Sequence, residues 1–520
     1  MSVRTWFPRV LGGIGLTLMA LSTLHAQIPH VAERLPSIFD EAAADGGSGE
    51  GDEGGEANVA DSLKSLDERL KKLEKSGKDV EGIKKDLGTL TDEFDEFSGD
   101  KSIAHSGSSK STMKISGRIH VDAWGFPSNS PQIDQLEGGP EGPQARLNFR
   151  RMRFGVAGNL PSNMLYKIEM EFAGGVDSEF RDAYLGWKDL PIFQQVLIGN
   201  QKRPYGLDHL NSSRYNVFLE RPFVIEAFNQ DSRRLGIQSY GVSENERWNW
   251  RYGVFNQRLI QDEGNYTNDH LQLEFASRLA NTFWWDETSE GRGYAHWAIS
   301  HSWAHPDGRG MGDTNPSGTG PDQDETRFRT RPEARTATRW LDTERIAGVG
   351  DYHLLGLENV WNFGPVQFVG EYQNMWLLRD AGAGSDLFLW GGYFYASYFL
   401  TGEHMPWSRS SGTLERIKPF EEFFLVRRAR GGCGGGWGAW QIAARYSYLD
   451  LNDGVYGGIS DGTAGGIGES FTFGLNWYWT AYARMQFNWM VGEIRDNIET
   501  RDVPLSGSYS IVGSRFMVDF

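Results

Sequence analysis

The chain has 520 residues, a formal net charge of −17 at pH 7 and a mean hydropathy of −0.50. It contains no internal run of about 18 or more apolar residues, which excludes a protein that crosses a membrane with helices. Its single cysteine, Cys433, excludes an intrachain disulfide framework and a zinc site built on cysteines. The negative charge argues against nucleic acid as a partner.

The negative charge is concentrated near the N-terminus, where residues 27–111 include 20 acidic and 11 basic residues. The region from residue 112 onward is also net negative, so a uniformly positive surface is excluded. Any preference for anions must therefore come from arginines that the fold places locally.

The beginning of the chain divides into segments of different composition. Residues 1–26 have the pattern of a secretory signal peptide, with Arg4 and Arg9 ahead of an apolar stretch; a short buried helix is the alternative. Residues 27–60 are acidic and glycine-rich, which predicts a disordered segment. Residues 98–112 have the composition of a linker.

Between these segments, residues 61–97 follow a heptad pattern. Apolar residues recur at intervals of seven, at Leu66, Leu73, Val80, Leu87 and Phe94. Such a seam is too apolar for one solvated helix, so the pattern predicts an α-helical coiled coil, which the predicted signal peptide would export to the periplasm. The alternative is a lone amphipathic helix that lies on another surface.

From residue 113 onward the period of the hydrophobic pattern changes to two. Phe471, Phe473 and Leu475 alternate with Thr472 and Asn476, and several other segments repeat this arrangement. Successive side chains of a strand point to opposite faces, so each segment is a strand with one apolar and one polar face.

Two all-β architectures could use these strands, a soluble sandwich and a transmembrane barrel. Charged residues and amides on the polar faces suit a water-filled lumen, and aromatic residues on the apolar faces suit the two membrane interfaces. The last strand ends on an aromatic residue, Phe520, which is typical of bacterial outer-membrane barrels. The sequence therefore predicts that residues 113–520 form an antiparallel transmembrane β-barrel of about 16 strands, with an aqueous channel inside.

Four groups of motifs in this region resemble one known family. They are KISGRIHVD at 114–122 with NFRRMRFG at 148–155, IGNQKRPYGLDHLNSS at 198–213 with FLER at 218–221, SYFLTGEH at 397–404 with IKP at 417–419, and RYSYLDLNDG at 445–454 with GLNWY at 474–478. Together they resemble the phosphate-selective porin O/P family of outer-membrane proteins. The resemblance implies a trimeric, sixteen-stranded porin in which a long loop folds into the pore.

The resemblance also implies which residues contact the anion, since family members bind it with Arg, Lys and Ser at a narrow central zone. The positions that match are Arg118, Arg150, Arg151, Ser212 and Ser213, with Arg221 as a weaker candidate. By strand alternation, Lys114 shares the polar face of the first strand with Arg118 and is a further pore-lining candidate. The neighbours Arg150 and Arg151 can both face the lumen only if the strand contains a bulge; otherwise Arg151 is an arginine at the membrane interface.

Two positions depart from the family pattern. His209 stands where the family has a lysine, and Arg181 stands where it has an aspartate. A histidine is largely neutral at pH 7, so the first change removes a charge.

These observations predict an outer-membrane porin for passive diffusion of small anions, with phosphate as the candidate solute. Its expected partners are small inorganic anions, outer-membrane lipid and two further copies of the chain in a homotrimer; no cofactor or metal is expected. One alternative is a general porin of the same fold without ion preference. Another is a structural tether that acts through the coiled coil, and the least favoured is a barrel enzyme.

Overall fold

The computed structural model describes residues 111–161, 163–174, 178–229, 232–257, 271–306, 325–423, 426–427, 433–454, 463–497 and 505–520. The predicted signal peptide (1–26), acidic segment (27–60) and coiled coil (61–97) lie outside these residues, as does nearly all of the predicted linker. They therefore stay predictions.

The described residues form a closed barrel of sixteen antiparallel strands, each paired with the next and the last paired with the first. The first eight are β1 Lys114–Asn129, β2 Arg146–Asn159, β3 Met164–Glu171, β4 Glu179–Leu190, β5 Gln194–Lys202, β6 Arg233–Val242, β7 Trp248–Asn256 and β8 Leu273–Trp285. The others are β9 Gly293–Ala304, β10 Val349–Phe363, β11 Val366–Arg379, β12 Leu387–Phe399, β13 Ala439–Asp453, β14 Thr463–Tyr478, β15 Ala483–Asn497 and β16 Leu505–Asp519. The predicted barrel is confirmed and the sandwich is excluded.

The two faces of the strands differ as the period of two predicts. On β14, Phe471 and Phe473 are 50% and 49% exposed on the outside of the barrel, whereas Thr472 and Asn476 are buried on the inside. An outer surface of large apolar side chains suits contact with lipid, and ring closure leaves no unpaired sheet edge.

The barrel closes where β1 meets β16. Phe520 donates its backbone N–H to the carbonyl of Gly117 at 3.1 Å, and Gly117 donates to the carbonyl of Phe520 at 3.0 Å. Further along the same strand pair, Asp122 lies directly opposite Arg515. The C-terminal residue therefore belongs to the hydrogen-bonded wall.

Three segments between strands fold into the barrel instead of running over its rim. The first lies between β5 and β6 and is described at residues 203–229 and 232; it is called the inner loop and contains the short helices α2 Leu207–Leu210 and α3 Phe223–Phe228. The second and third lie within residues 325–348 and 403–420, where Trp340 and Trp407 are buried. A third short helix, α1 Pro131–Leu136, follows β1.

The inside of the barrel is partly packed with apolar side chains, which differs from the predicted open interior. Val217, Phe218, Leu219 and Phe223 of the inner loop are buried in one apolar cluster with residues of the barrel wall. The infolded segments carry their own apolar residues, and these lose contact with water by packing inside. In the described part of the chain, no helix has the length and apolar character needed to cross a membrane.

Candidate functional site

A β-bulge in the β1–β2 pair brings two adjacent arginines into the lumen. His120 pairs with Arg151 and Val121 pairs with Phe149, so Arg150 is the extra residue and has no partner on β1. Phe149 lies exposed on the outer face, while the side chains of Arg150 and Arg151 both line an internal cavity. The strand therefore contains the bulge that two inward-facing neighbours require.

Arg118 on β1 connects the barrel wall to the inner loop. Its Nη1 donates to the Ser213 hydroxyl at 2.9 Å and lies 3.5 Å from the Ser212 hydroxyl. Its Nη2 donates to Glu169 Oε2 on β3 at 2.8 Å. Because each serine oxygen accepts from Arg118, its own hydroxyl hydrogen can be directed toward a bound oxyanion.

The two serines are held in place by cations that bind the end of α2. Lys202 Nζ donates to the carbonyls of His209, Leu210 and Asn211 at 2.8, 2.8 and 2.9 Å. Arg221 Nε donates to the Asp208 carbonyl at 2.9 Å. These carbonyls have no partner within so short a helix, so the basic side chains both satisfy them and fix the start of the Ser212–Ser213 turn.

The wall, the inner loop and the infolded segment 325–348 line a cavity of about 530 Å³. Thirteen basic residues line it, against three acidic ones. The basic residues are Arg118, Arg150, Arg151, Arg153, Lys167, Arg181, Lys202, Arg214, Arg221, Arg233, Arg251, Arg329 and Arg339, and the acidic ones are Asp182, Glu220 and Glu226. We call this space the basic cavity; its lining has more cations than carboxylates, in a chain whose net charge is −17.

Eight of the nine candidate residues line the basic cavity, namely Arg118, Arg150, Arg151, Arg181, His209, Ser212, Ser213 and Arg221. Lys114 is the exception, since it is exposed at the first position of β1 and does not line the cavity. Strand residues rise about 3.3 Å each, so Lys114 is displaced about 13 Å along β1 from Arg118 although it shares that face. The position of Lys114 elsewhere in the pore lining therefore stays a prediction.

Several cavity residues were missed by the sequence analysis. Three of them lie on strands, namely Arg153, Arg233 and Arg251. Strand alternation could have indicated which face they share; Arg153, for example, is two residues from Arg151. Arg329 and Arg339 come from the infolded segment 325–348, where no strand period indicates which side chains face the lumen.

The cavity arginines differ in whether a carboxylate neutralises them. Arg153 pairs with Glu169 and Glu171 at 3.1 and 2.6 Å. Arg233 pairs with Asp182 at 2.7 Å. By contrast, none of the carboxylates that the structure describes lies within 4 Å of the Arg151 guanidinium, which is 4% exposed and whose Nη1 is 3.5 Å from a ring nitrogen of His120. Arg151 is therefore a buried cation whose charge is available to a ligand.

His209 does not replace the charge of the lysine found in the family. Burial and the neighbouring cations Lys202 and Arg203 hold the pKa of the His209 imidazole well below its usual value. The ring is therefore neutral at pH 7, and its Nε2 is buried without a partner among the described residues. Lys202 Nζ donates to the His209 carbonyl, so the lysine of this part of the cavity comes from β5 and not from position 209.

Comparison with known proteins agrees with this architecture. The family described as phosphate-selective porin O and P matches residues 113–520. A protein of Caulobacter vibrioides is 25% identical over 422 residues, which is 79% of this chain and 74% of that protein. The chain is therefore similar in sequence to this family and to this protein.

Among solved structures, OmpT of Vibrio cholerae is 12% identical, with a TM-score of 0.45 over 80% of this chain and 99% of that one. An anion-selective porin from Comamonas acidovorans is 13% identical, with a TM-score of 0.44 over 78% of this chain and 100% of that one. The family match extends over nearly all of the described residues. This chain therefore belongs to the phosphate-selective porin O and P family and is an outer-membrane porin.

Proposed function

We propose that this porin passes small inorganic anions, phosphate among them, and that the basic cavity is the part of the pore that selects them. The observation that carries the proposal is the lining of that cavity, with thirteen basic residues against three acidic ones. A water-filled constriction lined by one sign of charge concentrates the oppositely charged ion.

We infer that Arg151, Arg118 and Ser213 bind the anion directly. A guanidinium presents N–H groups in a planar fork that matches the oxygens of an oxyanion, and a hydroxyl adds a further donor. Arg151 supplies a charge without a carboxylate partner, and the Arg118–Ser213 contact at 2.9 Å places a hydroxyl beside a second guanidinium. The other cavity cations contribute to the field, which attracts an anion without holding it at one place.

The proposal predicts that the reconstituted porin prefers anions. Purified protein is placed in a planar bilayer between unequal concentrations of KCl. We expect the reversal potential to be shifted from zero toward the equilibrium potential of chloride, because the cavity excludes K⁺ and attracts Cl⁻. A reversal potential near zero would support the general porin without ion preference. A reversal potential shifted toward the equilibrium potential of potassium would contradict the proposal.

The remaining partners are predictions from the family resemblance. The homotrimer is one of them, and outer-membrane lipid against the apolar outer face is the other. The alternative of a structural tether depends on residues 27–111, nearly all of which lie outside the described part of the chain.

A further inference from the structure

One carboxylate of the basic cavity occupies a guanidinium in the way that an anion would. Glu220 lies on the inner loop, and its Oε1 accepts from Arg150 Nε at 2.6 Å while its Oε2 accepts from Arg150 Nη2 at 2.9 Å. Both residues line the cavity. This two-bond geometry is the one with which a guanidinium binds phosphate.

Arg150 has no other acidic partner within 4 Å among the described residues, so its pairing depends on Glu220. Glu220 has a second contact, since Arg515 Nη2 donates to its Oε1 at 2.9 Å. Arg515 is also bound by both carboxylate oxygens of Asp122, at 2.6 Å each. Loss of the Glu220 charge would therefore release mainly Arg150.

Glu220 stays ionised in this position. Burial alone would raise the pKa of its carboxyl group, but the adjacent Arg150 guanidinium and its hydrogen bonds, with Arg515 and Arg151 nearby, hold that pKa well below its usual range. A permanent negative charge therefore lies on the lining of a cavity in which basic residues predominate.

We propose that Glu220 is a specificity-determining residue, an internal carboxylate that competes with the permeating anion for Arg150 and lowers the affinity of the basic cavity. This inference rests on the proposed anion selectivity. A lower affinity lets a bound anion leave, which conduction requires as much as entry.

The test is block of chloride current by inorganic phosphate in single channels. Glu220→Gln keeps the size of the side chain and removes its charge, so it frees the Arg150 fork. We expect the phosphate concentration for half block to fall about tenfold, because one additional charge-assisted contact becomes available to the anion.

Glu226→Gln is the matched control, since it makes the same change from carboxylate to amide on the same cavity lining. The Glu226 carboxylate lies 3.5 Å from Arg331, which does not line the cavity, so no lining guanidinium is released. We expect its half-block concentration to change less than about threefold. Equal effects of the two substitutions would overturn the role of Glu220, because net charge alone would then explain them.

A second variant covers the case in which Glu220→Gln does not fold, as judged by heat-modifiable migration on gels. Arg150→Gln combined with Glu220→Gln removes both partners and leaves the net charge unchanged. Because Arg150 is already occupied in the native protein, we expect phosphate block within about threefold of wild type. A loss of affinity of about tenfold or more would show that Arg150 binds the anion in the native protein and would overturn the proposal.

The two proposals fail in different ways. A preference of the wild-type channel for cations would contradict the proposed function itself. If the wild-type channel prefers anions but Glu220→Gln leaves phosphate block unchanged, only the proposed role of Glu220 is contradicted.

Discussion

Arg151→Ala is expected to raise the phosphate concentration for half block of chloride current by about 10- to 100-fold. A hydrogen bond to a charged group contributes about 1.5–3 kcal/mol, which corresponds to that range. This full loss is expected for Arg151 because the described residues place no carboxylate within 4 Å of its guanidinium. The measurement is single-channel current in KCl with increasing inorganic phosphate.

Arg146→Ala is the control for this prediction. Arg146 begins the same strand, β2, and carries the same charge, but it pairs with Glu137 at 3.4 Å and does not line the basic cavity. We expect its half-block concentration to stay within about twofold of wild type. An equal effect of both substitutions, or no effect of Arg151→Ala, would show that Arg151 does not bind the anion.

Asp122→Ala is expected to lower the free energy of unfolding of the barrel by about 3 kcal/mol. Asp122 and Arg515 face each other where β1 closes on β16, and both are buried. Removing one partner of a buried ion pair leaves an uncompensated charge and costs about 3–5 kcal/mol. The lower end applies because Glu220 still accepts one hydrogen bond from Arg515. The measurement is urea unfolding followed by tryptophan fluorescence in lipid vesicles.

Two further variants make this result interpretable. Glu287→Ala removes a carboxylate that is 76% exposed and 3.2 Å from Arg409, so we expect a loss below about 1 kcal/mol. Asp122→Leu with Arg515→Met replaces the buried pair by apolar side chains, and we expect it to regain at least half of the loss. If Asp122→Ala unfolds at the wild-type urea concentration, the pair does not stabilise the closure of the barrel.

The barrel could be predicted from the sequence because its signal is local and repeated. Alternation such as that of Phe471, Thr472 and Phe473 depends only on the strand geometry, so the number of strands and their two faces followed from it. The bulge was one of two possibilities that the sequence left open, and the strand pairing shows the extra residue in β2 that brings both Arg150 and Arg151 into the lumen.

The interior could not be predicted in this way because its contacts join distant parts of the chain. Glu220 lies 70 residues from Arg150, and the infolded segment 325–348 supplies Arg329 and Arg339 without any strand period. Lys114 shows the converse limit, since alternation gives the face of a residue and not its depth in the lumen. Which arginines are neutralised by carboxylates therefore became known only from the structure.

The most direct test of the central claim is to locate a bound anion. Crystals of the porin soaked in arsenate, an analogue of phosphate, would give an anomalous signal at arsenic. We predict a peak within hydrogen-bonding distance of the Arg151 guanidinium and the Ser213 hydroxyl, inside the basic cavity. A cavity without such a peak, at an arsenate concentration that blocks the chloride current, would contradict the account.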